Sequence, residues 1–188
     1  VSKYFADEVM SDLDITIPES HYEVIANPID TEKFSYQKKD VELRKKILSI
    51  RPYASRTYAN DLTVKAILEL SKEDFFEDLE FRLIGDGVLF EETVEPLRNF
   101  DNVILEQRFL NQAEIADIHK EYGIFLCPSR MDTQGVSRDE AMSSGLVPIT
   151  NNVGAISEFL DGFEELMVAA DDYLELVDVI KELYINPN

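Results

Sequence analysis

The stretch Phe125-Leu126-Cys127-Pro128-Ser129-Arg130-Met131-Asp132-Thr133-Gln134-Gly135-Val136-Ser137-Arg138-Asp139-Glu140-Ala141-Met142 passes from an apolar run, through a polar loop, into a helix. Gly123 to Cys127 reads as a buried strand ended by Pro128. Gly135 lies near the end of the loop, and Ser137 and Glu140 stand at capping-box spacing for a helix over Ser137–Ser144. Strand, polar loop and helix N-terminus is the layout that holds phosphate in open α/β sheets, because free backbone N–H groups point at the ligand. Asp132 and Glu140 bracket the loop with seven residues between them.

Outward from this stretch, strands and helices alternate. Strands are expected at Ile47–Ile50, Glu80–Ile84, Val103–Glu106, Ile124–Cys127, Val147–Thr150 and Leu166–Ala169. Helices are expected at Ser2–Leu13, Leu62–Ser71, Leu89–Asn99, Gln112–Tyr122, Ser137–Ser144, Ala155–Leu160 and Tyr173–Tyr184. Such alternation implies right-handed βαβ units: an α/β, Rossmann-like parallel sheet with helices on both faces, binding ligands at the carboxyl ends of its strands.

The 188 residues suit a single domain, and 45% hydrophobic with 30% charged residues argues for a folded chain. No run approaches the ~18 apolar residues of a membrane span. No signal peptide is expected, because Val1-Ser2-Lys3-Tyr4-Phe5 lacks a basic region followed by an apolar one. One cysteine, Cys127, allows no internal disulfide, which fits a cytoplasmic setting; the residue reads as strand core rather than nucleophile. The formal net charge of −20 makes the chain a poor candidate for nucleic acid, whose affinity depends on basic neutralisation, and no nucleic-acid partner is expected. A phosphate ligand must then be held by a few local cations and N–H groups, so the positions of Arg51, Arg56 and Arg130 matter.

Other chemistries are missing. The two histidines, His21 and His119, support no nucleophilic system, and His119 reads as a surface residue of an amphipathic helix. No zinc-ligand cluster is present. Asp12-Leu13-Asp14 spells a metal-binding DxD by letter, but it ends a helix rather than a strand and reads as surface. Gly85-Asp86-Gly87 allows a tight strand-to-helix turn. It is no GxGxxG fingerprint, since Val-Leu-Phe follows. Asn111 with Glu114 forms an expected capping box.

The stretch from Asp132 through Ser143-Ser144-Gly145-Leu146-Val147-Pro148-Ile149-Thr150 resembles the donor-binding half of retaining GT-B glycosyltransferases, called group 1 or family 4. That signature is two acids separated by seven residues, a small-residue helix and a Gly-x-Pro-x-hydrophobic strand. The first acid is usually Glu in the family and is Asp132 here. Tyr22 to Phe34 resembles the family's crossing between two domains.

The resemblance implies one nucleotide-sugar-binding domain over 1–188, with 1–34 as interdomain crossing and 35–188 as Rossmann-like core. The N-terminal acceptor domain is absent from this sequence, and the fragment alone is expected to be inactive. The implied donor is a nucleoside-diphosphate sugar, with no cofactor and no metal. The acceptor is a carbohydrate or lipid-linked molecule presented by the absent domain, as in polysaccharide biosynthesis, with location cytoplasmic or membrane-associated through the absent part.

Residue by residue, the resemblance implies that Arg51 and Arg56 grip the diphosphate, although the family's flanking glycines are Ile50 and Thr57 here. Gly85 and Gly87 lie close to the nucleotide, and backbone groups of Gln107 and Arg108 read the base, Arg108 replacing a common glycine. Asp132 faces the transferred sugar. N–H groups of Thr133, Gln134, Gly135 and Val136 hold sugar and phosphate, and Glu140 binds the ribose. Two alternatives remain: a sugar-nucleotide epimerase or phosphorylase half, and a non-catalytic nucleotide-binding module.

Overall fold

The computed structural model describes residues 2–186. Among them are six parallel strands: β1 (Lys46–Ile50), β2 (Glu80–Gly85), β3 (Val103–Gln107), β4 (Ile124–Leu126), β5 (Val147–Asn151) and β6 (Met167–Val168). Their order across the sheet is β3-β2-β1-β4-β5-β6. The helices are α1 (Lys3–Asp12), α2 (Asn60–Leu70), α3 (Phe90–Val94), α4 (Gln112–His119), α5 (Val136–Ser143), α6 (Ile156–Phe159) and α7 (Tyr173–Ile185). Every expected strand and helix is present, with shifted ends. The helix expected over Leu89–Asn99 instead closes as α3 and passes into a 3-10 turn at Glu95–Leu97. Pro96 explains the break, since it has no N–H to continue the helix. The last strand shrinks to Met167–Val168 at the sheet edge.

The two faces of the sheet carry separate cores, as the period-two alternation of strand side chains requires. Ile47, Leu83, Ile124, Leu126 and Ile149 face one side, packed against α2, α3 and α7. Leu48, Ile84, Phe125 and Cys127 face the other, packed with Ile118 of α4 and Ala141 of α5. Burial on both faces accounts for the nearly continuous apolar runs of these strands. Cys127 is 3% exposed, and burial pushes its thiol up to about 11, so it is an inert core residue.

The first core residue in chain order is Phe34, at 1% exposure. Before it, α1 buries none of its side chains. Ser2 caps α1, and the carboxylate of Glu158 accepts from the N–H groups of Lys3 and Tyr4 at 2.9 and 2.6 Å. A carboxylate at a helix N-terminus satisfies two orphan donors and meets the positive end of the helix dipole.

His119 corrects the sequence reading. It is 1% exposed, wedged between Phe34 and Phe125 at ring distances of 5.7 and 5.8 Å. Its Nδ1 lies 3.0 Å from the Ser144 hydroxyl, which itself donates to the Glu140 carbonyl. Burial, reinforced by Lys39, lowers its pKa to about 4, so the ring is neutral.

Candidate functional site

The strand order reverses between β1 and β4, and the loops leaving their carboxyl ends form the crevice where open α/β sheets bind ligands. These loops are tied together. Arg130 N–H and the Ser129 hydroxyl both donate to the carbonyl of Thr57, at 2.8 and 3.2 Å. Arg130 is fully engaged there, binding Asp61 through two nitrogens at 2.7 and 2.9 Å and Asp171 at 2.8 Å. Its guanidinium holds the Asp61 carboxyl below the ordinary carboxylate range, so it is a clamp between loops.

Arg51 directly follows β1. It is 6% exposed, its Nη1 donates to the Ser137 hydroxyl at 2.9 Å, and its guanidinium stacks 5.0 Å from the Tyr58 ring centre. Its Nε is buried without a partner, and among the described residues no carboxylate pairs with it. A desolvated cation lacking a counter-charge is costly, and an anionic ligand is what would offset that cost. Arg56, on the 3-10 turn at Arg56–Tyr58, is largely exposed and stands 3.8 Å from Glu92.

The Arg51 loop is woven through the turn after β2. Arg51 N–H donates to Ile84, Tyr53 N–H to Asp86, and Leu89 N–H to Tyr53, at 3.0, 2.8 and 3.0 Å. A Cβ on Gly85 would lie 1.9 Å from the Arg51 carbonyl oxygen, and one on Gly87 would lie 2.2 Å from the Tyr53 carbonyl carbon. Both glycines are therefore required by close passage of the chain that carries Arg51.

Beyond this turn, a hollow of about 160 Å³ opens between Ile50, Pro52, Gly85, Arg108 and Phe109. Arg108 is braced by Glu106 at 2.7 Å and Glu114 at 3.0 Å, and Phe109 is 83% exposed. Gln107 only approaches Asp86 and the Gly87 carbonyl, at 3.5 Å each. The capping box of Asn111 and Glu114 is formed and starts α4.

On the β4 side, the loop ends at Gly135, in the left-handed conformation with φ of +88°. The capping box expected from Ser137 and Glu140 does not form. The helix begins at Val136, with Gly135 as its N-cap and no side-chain cap. Ser137 instead receives Arg51, and Glu140 turns to Gln112, whose Nε2 is 3.4 Å away. With no cap, the N–H groups of Gly135, Val136 and Ser137 have no hydrogen bond among the described residues. Unpartnered N–H groups at a helix N-terminus beside a buried arginine make an anion-binding arrangement.

Asp132 is half-buried, and its Oδ1 accepts from the Gln134 N–H at 3.1 Å. Thr133 lies between them, half-buried. Glu140 is 9% exposed; burial raises its carboxyl pKa, while Gln112 and Lys33 oppose the rise. The structure thus brings Arg51 to the head of α5, keeps Asp132 in the loop above it, leaves Arg56 at the outer rim, and sets Glu140 one turn deeper.

Two side chains of this site escape sequence reasoning. Arg138 is 1% exposed, with Nη2 donating to the Gln134 carbonyl at 2.6 Å and Nε to Asp139 at 2.9 Å. An arginine in a helix reads as surface, and no neighbouring residue signals otherwise. The Gln134 side chain is 3% exposed and pairs with Asn27, far away in sequence.

Comparison with known proteins gives a consistent picture. A family model described as glycosyl transferases group 1 matches residues 44–186. The lipopolysaccharide core biosynthesis mannosyltransferase LpsB of Rhizobium meliloti (strain 1021) is 28% identical, covering 82% of this chain and 48% of that protein. The chain therefore spans about half the length of this curated relative. Among solved structures, the C-terminal domain of the group 1 family protein LpcC from Francisella tularensis superposes with a TM-score of 0.68 at 18% identity, covering 85% of this chain and 89% of that one. The pneumococcal O-GlcNAc transferase GtfA, solved with UDP and GlcNAc, gives a TM-score of 0.70 at 20% identity, over 100% of this chain and 38% of that one. At these identities the structural likeness concerns the fold.

Proposed function

The chain belongs to the group 1 glycosyl transferases, and from that premise we propose that it is the part that binds a nucleoside-diphosphate sugar for retaining transfer to a carbohydrate or lipid-linked acceptor. The observation that carries this reading is Arg51: a buried guanidinium with no carboxylate partner among the described residues, in a chain of net charge −20, facing the uncapped start of α5. A diphosphate supplies the counter-charge there. Its oxygens take the Arg51 guanidinium and the N–H groups of Val136 and Ser137, with Arg56 closing from the rim.

The nucleoside extends toward the hollow beside Arg108 and Phe109, with Glu140 accepting from the ribose hydroxyls. Asp132 faces the sugar. As the glycosidic bond breaks, negative charge develops on the leaving diphosphate, and the same cation and N–H groups meet it without reorganising. No metal is invoked: the counter-charges named belong to the chain itself. The acceptor site lies on a part of the enzyme that this sequence does not contain, in keeping with the share of LpsB that the chain spans.

The test is a calorimetric screen of the chain against UDP-, GDP- and ADP-sugars with the matching free nucleosides. One diphosphate family should bind clearly more tightly than its nucleoside. Equal affinity for nucleoside and diphosphate would remove the basis of the reading.

A further inference from the structure

We propose that Gln134 is a positioning residue that couples the phosphate-binding turn to the segment around Asn27, through a side chain that replaces a strand pairing. The inference rests on the diphosphate reading above. Gln134 is 3% exposed, and its polar groups are fully used. Its Oε1 accepts from Asn27 N–H at 2.7 Å, and its Nε2 donates to the Asn27 carbonyl at 3.0 Å, with Asp139 Oδ2 at 3.2 Å. Its own N–H donates to Asp132 at 3.1 Å, and its carbonyl accepts from Arg138 at 2.6 Å.

Two bonds to the main chain of one residue fix both position and orientation, as a β-bridge does. The stretch 23–29 has no other hydrogen bond to the rest of the chain among the described residues. On the loop side, the residue that holds Asn27 also orients the Asp132 carboxylate and immediately precedes the left-handed Gly135, after which the free N–H groups begin. Neither side can shift without breaking bonds of the same residue. Whatever orders the turn therefore orders Asn27, and by thermodynamic reciprocity whatever orders Asn27 favours ligand at the turn.

The test combines amide hydrogen exchange at Asn27 with calorimetry, using UDP and GDP as probes on the wild type and on Gln134→Met, which keeps the volume but loses the amide. The diphosphate that binds the wild type should slow Asn27 exchange by about tenfold, the scale of one hydrogen bond. In Gln134→Met, exchange should be fast and indifferent to ligand, with affinity roughly tenfold weaker. If Gln134→Met does not fold, the wild type alone decides: Asn27 exchange that stays the same when the diphosphate binds overturns the coupling. A purely structural tie would lower the melting temperature and raise exchange, yet leave affinity and ligand-dependence unchanged; that result overturns the coupling alone. A wild type that binds neither UDP nor GDP overturns the diphosphate reading, and this inference with it.

Discussion

Arg51 and Ser137 meet across the crevice, the arginine Nη1 donating to the serine hydroxyl at 2.9 Å, although 86 residues separate them. The bond joins the end of β1 to the first turn of α5. It takes one donor of a group that has several, and leaves the buried Nε without a partner among the described residues.

This geometry ranks the two arginines. Arg51→Ala should weaken nucleoside-diphosphate binding by ~1.5–3 kcal/mol, the range for hydrogen bonds to charged groups. Arg56, exposed and facing Glu92 at 3.8 Å, should cost less than ~1 kcal/mol when replaced by Ala, and its share should fade with added salt. Calorimetric titration at two salt concentrations checks both. An Arg56→Ala effect as large as that of Arg51→Ala would reverse the ranking.

The two acids of the motif should separate by ligand. Asp132→Ala should weaken binding of the sugar nucleotide and barely change that of the bare diphosphate, whereas Glu140 substitutions should weaken both by about 1–3 kcal/mol. Glu140 also carries a stability signature. Its carboxyl pKa is raised chiefly by burial, so the folded state holds the proton more tightly than the unfolded chain. Ionisation therefore costs stability as pH rises through the carboxylate range. Glu140→Gln should melt higher than wild type at pH 7, and the gain should shrink toward pH 4. Since Glu140 caps nothing, a drop in melting temperature on this substitution would contradict the geometry.

His119 gives the opposite pH slope. Its folded pKa, about 4, lies below the ordinary 6.5, so the unfolded chain takes up the proton first. Stability from the neutral ring is full above pH 6.5 and is lost as pH falls toward 4, up to about 3 kcal/mol. His119→Gln should flatten that part of the stability–pH curve. Urea titrations of both proteins between pH 4 and 7 measure it, and parallel curves would assign the acid sensitivity elsewhere.

Diphosphate binding should survive a chelator. The charges offered at the crevice come from Arg51, Arg56 and main-chain N–H groups, and among the described residues no three metal-ligating side chains cluster. Loss of binding in EDTA, restored by magnesium or manganese, would show that a cation carries part of the site.

The parallel α/β sheet and the ligand-facing ends of its strands are legible in the sequence because short apolar runs at βαβ spacing have few other solutions, and because Arg51 and Gly85-Asp86-Gly87 each follow a strand end. What sequence hides is contact between distant segments. His119 looked like a surface residue because nothing in its own helix announces that Phe34 and Phe125 close over it. Ser137 and Glu140 fit a cap by spacing, yet Gly135 starts the helix earlier and leaves both side chains for other partners. The Gln134 carboxamide finds its partner 107 residues away, a pairing that no local pattern encodes.

The weave of residues 51–54 through the glycine turn also divides the crevice by mutational tolerance. At Gly85 and Gly87 any side chain collides with backbone, which has nowhere to move. Libraries that vary these positions will lose folded protein before they sample new ligands. Val88, next after the turn, and Phe109, in the lining of the adjoining hollow, are 89% and 83% exposed. Substitutions are tolerated at this outer edge, so a change of ligand preference, by natural drift or by directed evolution, would begin there, with the Arg51 anchor inherited unaltered.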